Sequence, residues 1–237
     1  LNALRTRAEP MGDGTYRIFG QKIFITYGEH DFTDNIVHLV LARLPDAPPG
    51  TRGISLFVVS KFLVNADGSL GARNDVKCVG LEHKLGLHAS PTCTMQYGDA
   101  GGAIGYLVGE ENRGLACMFT MMNNARLGVA TQGVAVAERA YQKALSFAKE
   151  RKQGRAPGYT GEGMSPIVQH PDVKRMLLEM RAKTAAARAL CLMTAKALDL
   201  AHHEKTPEAR AAAHARASLL TPVAKAFATD IGIEVAS

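Results

Sequence analysis

The hydrophobic periodicity of this chain changes once, near residue 112. Before it, apolar residues occur in short alternating or continuous runs rich in β-branched side chains, punctuated by Gly, Pro, Asn and Asp. After Asn112 they recur at helical spacing in a sequence dominated by Ala, Leu, Met, Glu, Lys and Arg. A period of two cannot be laid onto a helix without turning half of its apolar side chains to water, so a single change dictates a β unit followed by an α unit. The chain reads as an α+β multidomain protein, with a β-domain over residues 1–110 and a helical domain over residues 111–237. Its 237 residues suffice for two packed cores.

Within the first half, Gly12-Asp13-Gly14 is a turn signal, and residues 15–19 and 21–26 read as two short strands of a hairpin on either side of Gly20. Residues 36–44 form a longer apolar run closed by a Pro-rich loop. Residues 53–59, 76–79 and 92–97 are further strands at regular spacing. Short, evenly spaced strands without intervening helices predict an antiparallel barrel or sandwich and exclude a Rossmann sheet.

In the second half, Leu115, Met118, Phe119, Met122, Val129, Val136, Ala140, Ala144 and Ala148 form one stripe. The helix they imply runs to about Lys152 and spans about 55 Å. A second helix opens at Pro171, with Val173, Met176, Leu177, Met180, Ala187, Cys191 and Leu198 as its apolar face. A third is capped by Thr206 with Pro207 in its first turn, and Pro222 is expected to kink it. Short connections would make these an antiparallel up-and-down bundle, incomplete because each stripe needs neighbours on both sides; a fourth helix is expected beyond Ser237.

The formal charge of +6 is spread among acids without a run of five or six like charges, which gives no footprint for nucleic acid. No apolar run reaches the length of a membrane span. Cys78, Cys93, Cys117 and Cys191 lack zinc-ligand or CxxC spacing, and His88, His30 and His202-His203 read as surface residues. No metal site is expected, and the cysteines read as buried free thiols of a cytoplasmic protein.

Two ordered segments carry a family signature. Gly20-Gln21-Lys22-Ile23-Phe24-Ile25-Thr26-Tyr27-Gly28 resembles the flavin-facing segment of acyl-CoA dehydrogenases, and Val108-Gly109-Glu110-Glu111-Asn112-Arg113-Gly114-Leu115 resembles that family's junction between β-domain and helical domain. The resemblance covers essentially the whole chain but two of the family's three domains. It implies FAD as cofactor, an acyl-CoA substrate, an electron acceptor such as an electron-transfer flavoprotein, and a homodimer or homotetramer. It places Phe24 against the flavin ring and the Thr26 hydroxyl on a flavin ring nitrogen. Arg126, with Asn123 and Asn124, falls where relatives line the acyl-CoA pocket, and Ser90 lies in a loop whose small polar residues approach the substrate. Arg151 and Gln153 match the segment that reaches the flavin diphosphate of a neighbouring subunit, with Gln153-Gly154 standing where relatives often have Phe-Gly. Gly28-Glu29-His30-Asp31, the loop Ala47-Pro48-Pro49-Gly50-Thr51 and residues 82–102 resemble the larger branch that includes 3-methylmercaptopropionyl-CoA and long-chain dehydrogenases.

The resemblance assigns no catalytic residue here. In most members the glutamate that removes the acyl α-proton lies beyond the position of Ser237, and the position it takes in a minority of members is Ala125. The chain alone is therefore expected to be an inactive fragment. Two other readings share these residues: an acyl-CoA oxidase of the same fold, and a non-enzymatic helical interaction module with a β-domain attached.

Overall fold

A computed structural model describes residues 1–237 and divides into two units, Leu1–Thr120 and Met121–Ser237. In the first, nine strands form: β1 (Arg7–Pro10), β2 (Thr15–Thr26), β3 (Val37–Ala42), β4 (Ser55–Ser60), β5 (Phe62–Val64), β6 (Leu70–Arg73), β7 (Val76–Leu81), β8 (Thr92–Tyr97) and β9 (Ala103–Val108). All ladders are antiparallel, in the order β3-β4-β9-β2-β8-β7, with β1 on β2 and a separate β5-β6 pair.

β2 organises the sheet. Its first half pairs with β9 on one edge and β1 on the other, and its second half, from Gly20, pairs with β8. The expected hairpin around Gly20 is therefore one continuous strand that passes from one layer to the next. Gly20 allows this because it adopts φ +137°, and a Cβ there would sit 3.0 Å from the Thr6 Cα. The two layers enclose one core, with Ile18, Val40 and Phe57 from one side and Val76, Cys93, Met95 and Tyr97 from the other.

Of the two expected architectures the closed barrel is absent. The start of β1 approaches the end of β3 through Ala8 N–H donating to Arg43 O at 2.7 Å and Arg43 N–H donating to Thr6 O at 2.9 Å. That single bridge, Arg7 with Arg43, does not grow into a ladder, so β3 and β7 stay as open edges. Lys22 covers part of the β3 edge, its ammonium donating to Leu41 O at 2.8 Å.

The remaining elements are helices: α1 (Gly114–Glu150), α2 (Pro171–His203) and α3 (Pro207–Ala236). Thr206 caps α3 by accepting from Ala209 N–H, and α3 runs unbroken through Pro222. The buried face of α1 follows the expected stripe only in part: Ala148 is buried and Ala140 packs against the core. Ala130, Val134 and Ala137 are buried against Ala187 and Cys191 of α2 and Ala224, Ala228, Ile231 and Val235 of α3, whereas Val136 is exposed. The reason is close approach: small residues let the backbones meet, so the contact face is marked by Ala and Gly, not by bulk. The connection from α1 to α2 is not short; it occupies residues 151–170 and includes a bridge between Lys152 and Pro166. All four cysteines are free, but only Cys93 and Cys191 are buried, Cys78 and Cys117 being half-buried.

No helix is long and apolar enough to cross a membrane.

Candidate functional site

The end of β2 departs from regular pleating at one point. Lys22 pairs with Met95 and Ile25 with Cys93, so three steps on β2 face two on β8. The extra residue makes a β-bulge, and Phe24 within it takes φ +61°. A bulky L-residue in that region is strained by about 1 kcal/mol or more. Phe24 gains little burial in return, since its side chain is 65% exposed.

Several contacts hold the strained segment in place. Ile25 packs on the core, Thr26 stands opposite Thr92, and Tyr27 N–H donates to Pro91 O at 2.9 Å. The chain then turns at Gly28, where a Cβ would lie 2.8 Å from the Met95 sulfur. His38 Nε2 donates to Gly28 O at 3.0 Å, which leaves Nδ1 to accept from the Tyr97 hydroxyl at 2.6 Å. Both protonation states suit this chain of bonds: burial lowers the His38 pKa, keeping the ring neutral, and burial raises that of Tyr97 far above its usual value, keeping it a donor. Next along, Glu29 accepts from Lys61 and pairs with Arg73 at 3.5 Å. Burial works to raise its pKa, yet these two cations hold it below the usual carboxylate range.

Ser90 comes to the same end of the sheet. It precedes β8 by two residues, its carbonyl accepts from the Lys84 ammonium, and it lines a cleft of about 290 Å³ with Leu81, Glu82, His83, Lys84, His88, Pro91 and Thr92. Thr26 pairs with Thr92, two residues after Ser90, so Phe24, Thr26 and Ser90 lie toward the same end of the β2-β8 ladder. Thr26 is exposed and its hydroxyl has no protein partner.

Lys22, just before the bulge, carries a titration that can be measured. Burial lowers its pKa to about 8. Between pH 8 and the unfolded value of 10.5 the unfolded chain binds more protons, so this group makes stability rise with pH across that window. Replacing Lys22 with Met is expected to flatten urea-derived stability between pH 8 and 10 relative to the parent; equal slopes would place the amine in solvent.

The start of α1 is anchored to β4: Gly114 N–H donates to Ile54 O, and Asn112, at φ +64°, donates its N–H to Ser55 Oγ at 2.8 Å. Further along α1, Arg126 Nη1 donates to Asn123 Oδ1 at 3.1 Å, so the amide orients the guanidinium one turn away. Both are half-buried and Asn124 is exposed. Arg151 and Gln153 lie past the far end of this helix and are exposed, and Arg151 forms no ion pair. The 25 positions from Arg126 to Arg151 correspond to about 37 Å of helix, so one chain does not bring these two arginines together.

Sequence reading missed His38, Tyr97 and Lys22. A histidine inside the apolar run of residues 36–44 was the available signal, since a buried imidazole needs partners.

The C-terminal part of the chain, residues 112–237, matches the family profile described as acyl-CoA dehydrogenase, C-terminal domain. The chain is 56% identical over 237 residues to 3-methylmercaptopropionyl-CoA dehydrogenase of Ruegeria pomeroyi, covering 100% of this chain and 40% of that protein. It is 39% identical to a butyryl-CoA dehydrogenase of Syntrophomonas wolfei, over 98% of this chain and 39% of the relative. Among solved structures, Caenorhabditis elegans ACDH-11 in complex with C11-CoA superposes with a TM-score of 0.74 at 26% identity, over 97% of this chain and 36% of that one. The chain thus spans about 40% of the length of the curated relatives it matches.

Proposed function

Because this chain belongs to the acyl-CoA dehydrogenase family, we propose that it supplies flavin-facing and substrate-facing elements of an FAD-dependent enzyme that desaturates an acyl-CoA thioester between its α- and β-carbons. The observation that carries the reading is Phe24, an exposed aromatic ring held in a strained backbone conformation by a bulge. Strain of this kind persists where a function needs the side chain and the surrounding structure over-determines it.

The residues present fit the separate parts of such a cofactor: on the β unit an exposed ring at Phe24 and an unbonded hydroxyl at Thr26 suit a flat aromatic ring, and on the helical unit an unpaired cation and an amide at Arg151 and Gln153 suit a diphosphate. Bound FAD would supply the hydride acceptor for the substrate β-carbon. Phe24 then excludes water from one ring face, and Thr26 donates to a ring nitrogen. Arg151 and Gln153 bind the diphosphate by charge and hydrogen bonding. Asn123, Asn124 and Arg126 face the acyl-CoA, with Asn123 orienting Arg126, and Ser90 contributes a polar contact from the loop before β8. Ala125 has no acid to offer as base.

The helix length between Arg126 and Arg151 supports the assignment of Arg151 to the cofactor of a second copy, and hence a homodimer or homotetramer. The exposed apolar side chains of the helices, among them Phe147, Leu178, Leu192, Leu219 and Ile233, support burial in such an assembly. We place the boundary of the β-domain near residue 110 and of the helical domain near 111, the enzyme in the cytoplasm, and an electron-transfer flavoprotein downstream as acceptor. The matched relatives are named for substrates as different as butyryl-CoA and 3-methylmercaptopropionyl-CoA, and turnover of these two thioesters by the full-length protein would distinguish the acyl group. Full-length protein is expected to purify yellow and to bleach anaerobically with an acyl-CoA. A colourless protein that takes up no FAD would defeat the proposal, and rapid oxygen uptake with peroxide formation would replace the dehydrogenase with an oxidase.

A further inference from the structure

The segment that carries Arg151 and Gln153 is held from below by two side chains that no motif marks. Its backbone pairs with the other limb of the connection: Gln153 N–H donates to Ser165 O at 3.1 Å, Ser165 N–H to Gly154 O at 2.9 Å, and Ile167 N–H to Arg151 O at 2.8 Å. Ser165 is wholly enclosed, at 0% exposure, and its hydroxyl accepts from Ala156 N–H at 2.9 Å. His170, the residue before α2, reaches back 17 positions to place Nε2 2.9 Å from Gln153 O and 3.4 Å from Ser165 Oγ. A carbonyl only accepts, so Nε2 carries the hydrogen in this bond. Gly154, at φ +62°, turns the chain past the imidazole, where a Cβ would lie 3.7 Å from its Cε1.

His170 has no other evident task. It flanks the start of α2, but its side chain caps no N–H there, and its own backbone N–H is already used by Ile167 O. Its side chain is committed instead to the carbonyl between the two residues assigned to the diphosphate and the glycine that turns the chain.

We propose that His170 is a positioning residue, whose Nε2–H fixes the Gln153 carbonyl and so sets the direction in which the Arg151 and Gln153 side chains meet the diphosphate of FAD. His170 does not touch the ligand in this arrangement. The inference rests on the reading of Arg151 and Gln153 as cofactor ligands, and its test separates the two.

The test uses full-length protein stripped of flavin and titrated with FAD, together with amide hydrogen exchange of the flavin-free form. Arg151→Met is expected to weaken FAD about tenfold. His170→Ala is expected to weaken it about fivefold, and to speed exchange at Gln153 and Ser165 without FAD present. His170→Asn, which keeps a side-chain N–H donor, is expected to recover part of the loss. In the Arg151→Met background His170→Ala should cost less further affinity than it does alone, because only the Gln153 amide is left to orient. Should His170→Ala not fold, His170→Phe keeps the ring without the donor and reads the same quantities. If Arg151→Met weakens FAD while the His170 variants bind it unchanged, or if the two losses add in full, the positioning role is overturned and the cofactor assignment stands. If Arg151→Met binds FAD like the parent, the cofactor assignment itself fails and this inference falls with it.

Discussion

Gly133→Ala is expected to destabilise the helical unit by about 2 kcal/mol or more, although alanine is the better helix former. A Cβ at residue 133 would lie 2.2 Å from the Ala228 carbonyl oxygen and 2.6 Å from its carbon. These are backbone atoms of α3, so no side-chain rotation can make room and the helices must separate. Gly232 on α3 is packed against the same spot, where an added Cβ would lie 2.9 Å from the Gly133 oxygen. Separation would also loosen Ala130, Ala137, Ala224 and Ala228, whose burial depends on the close crossing. Gly128, on the same helix, is the control: a Cβ there meets nothing within 4 Å. Gly128→Ala should therefore stabilise by up to about 1 kcal/mol through helix propensity alone. Urea unfolding followed by helical ellipticity would read both variants. Opposite signs support the crossing, and a Gly133→Ala protein as stable as Gly128→Ala would refute it.

That crossing explains why the helices were more legible in the sequence than their packing. Helix limits depend on local chemistry, and the positions read as starts, Pro171 and Thr206-Pro207, are where α2 and α3 begin. Packing depends on what lies opposite, and a glycine such as Gly133 carries no signal of its own close contact. The expected stripe on α1 therefore included Val136, which is exposed, and passed over Ala130, Val134 and Ala137, which are buried. The sheet shows the same division. Residues 92–97 were legible as a strand from their composition, but β9 was hidden beside Gly101-Gly102, and β2 was split at Gly20 because a glycine within a strand pattern reads as a turn. Here that glycine lets one strand serve two layers.

The candidate site was legible where it is contiguous in sequence. Phe24 and Thr26, or Asn123 to Arg126, can be found by motif because the family spacing is local. Their supports are distant. His38 reaches the Gly28 carbonyl from another strand, Tyr97 reaches His38 from a third, and His170 reaches Gln153 across a folded loop. A motif specifies which groups are presented; the hydrogen bonds that fix their direction are closed only by the fold. Neither does the motif reveal strain: Phe24 looks like an ordinary strand residue until its φ is known.

That strain separates the structural demand on Phe24 from the functional one. Phe24→Ala and Phe24→Gly both remove the ring, and because the ring is largely exposed, neither sacrifices much core burial. They differ in backbone freedom. At φ +61° alanine keeps the steric penalty and glycine does not, so the glycine variant should be the more stable of the two by about 1 kcal/mol when flavin is absent. Cofactor affinity should not follow that order. Both variants lose the packed ring face, and a loss of about 1.4 kcal/mol in that contact lowers FAD affinity about tenfold. Phe24→Trp, which keeps an aromatic ring, should retain most of the affinity. Thermal unfolding of the flavin-free protein and FAD titration, measured on the same three variants, therefore test separate links of the argument. A glycine variant no more stable than the alanine variant would remove the strain, and one that binds FAD as tightly as the parent would remove Phe24 from the flavin site.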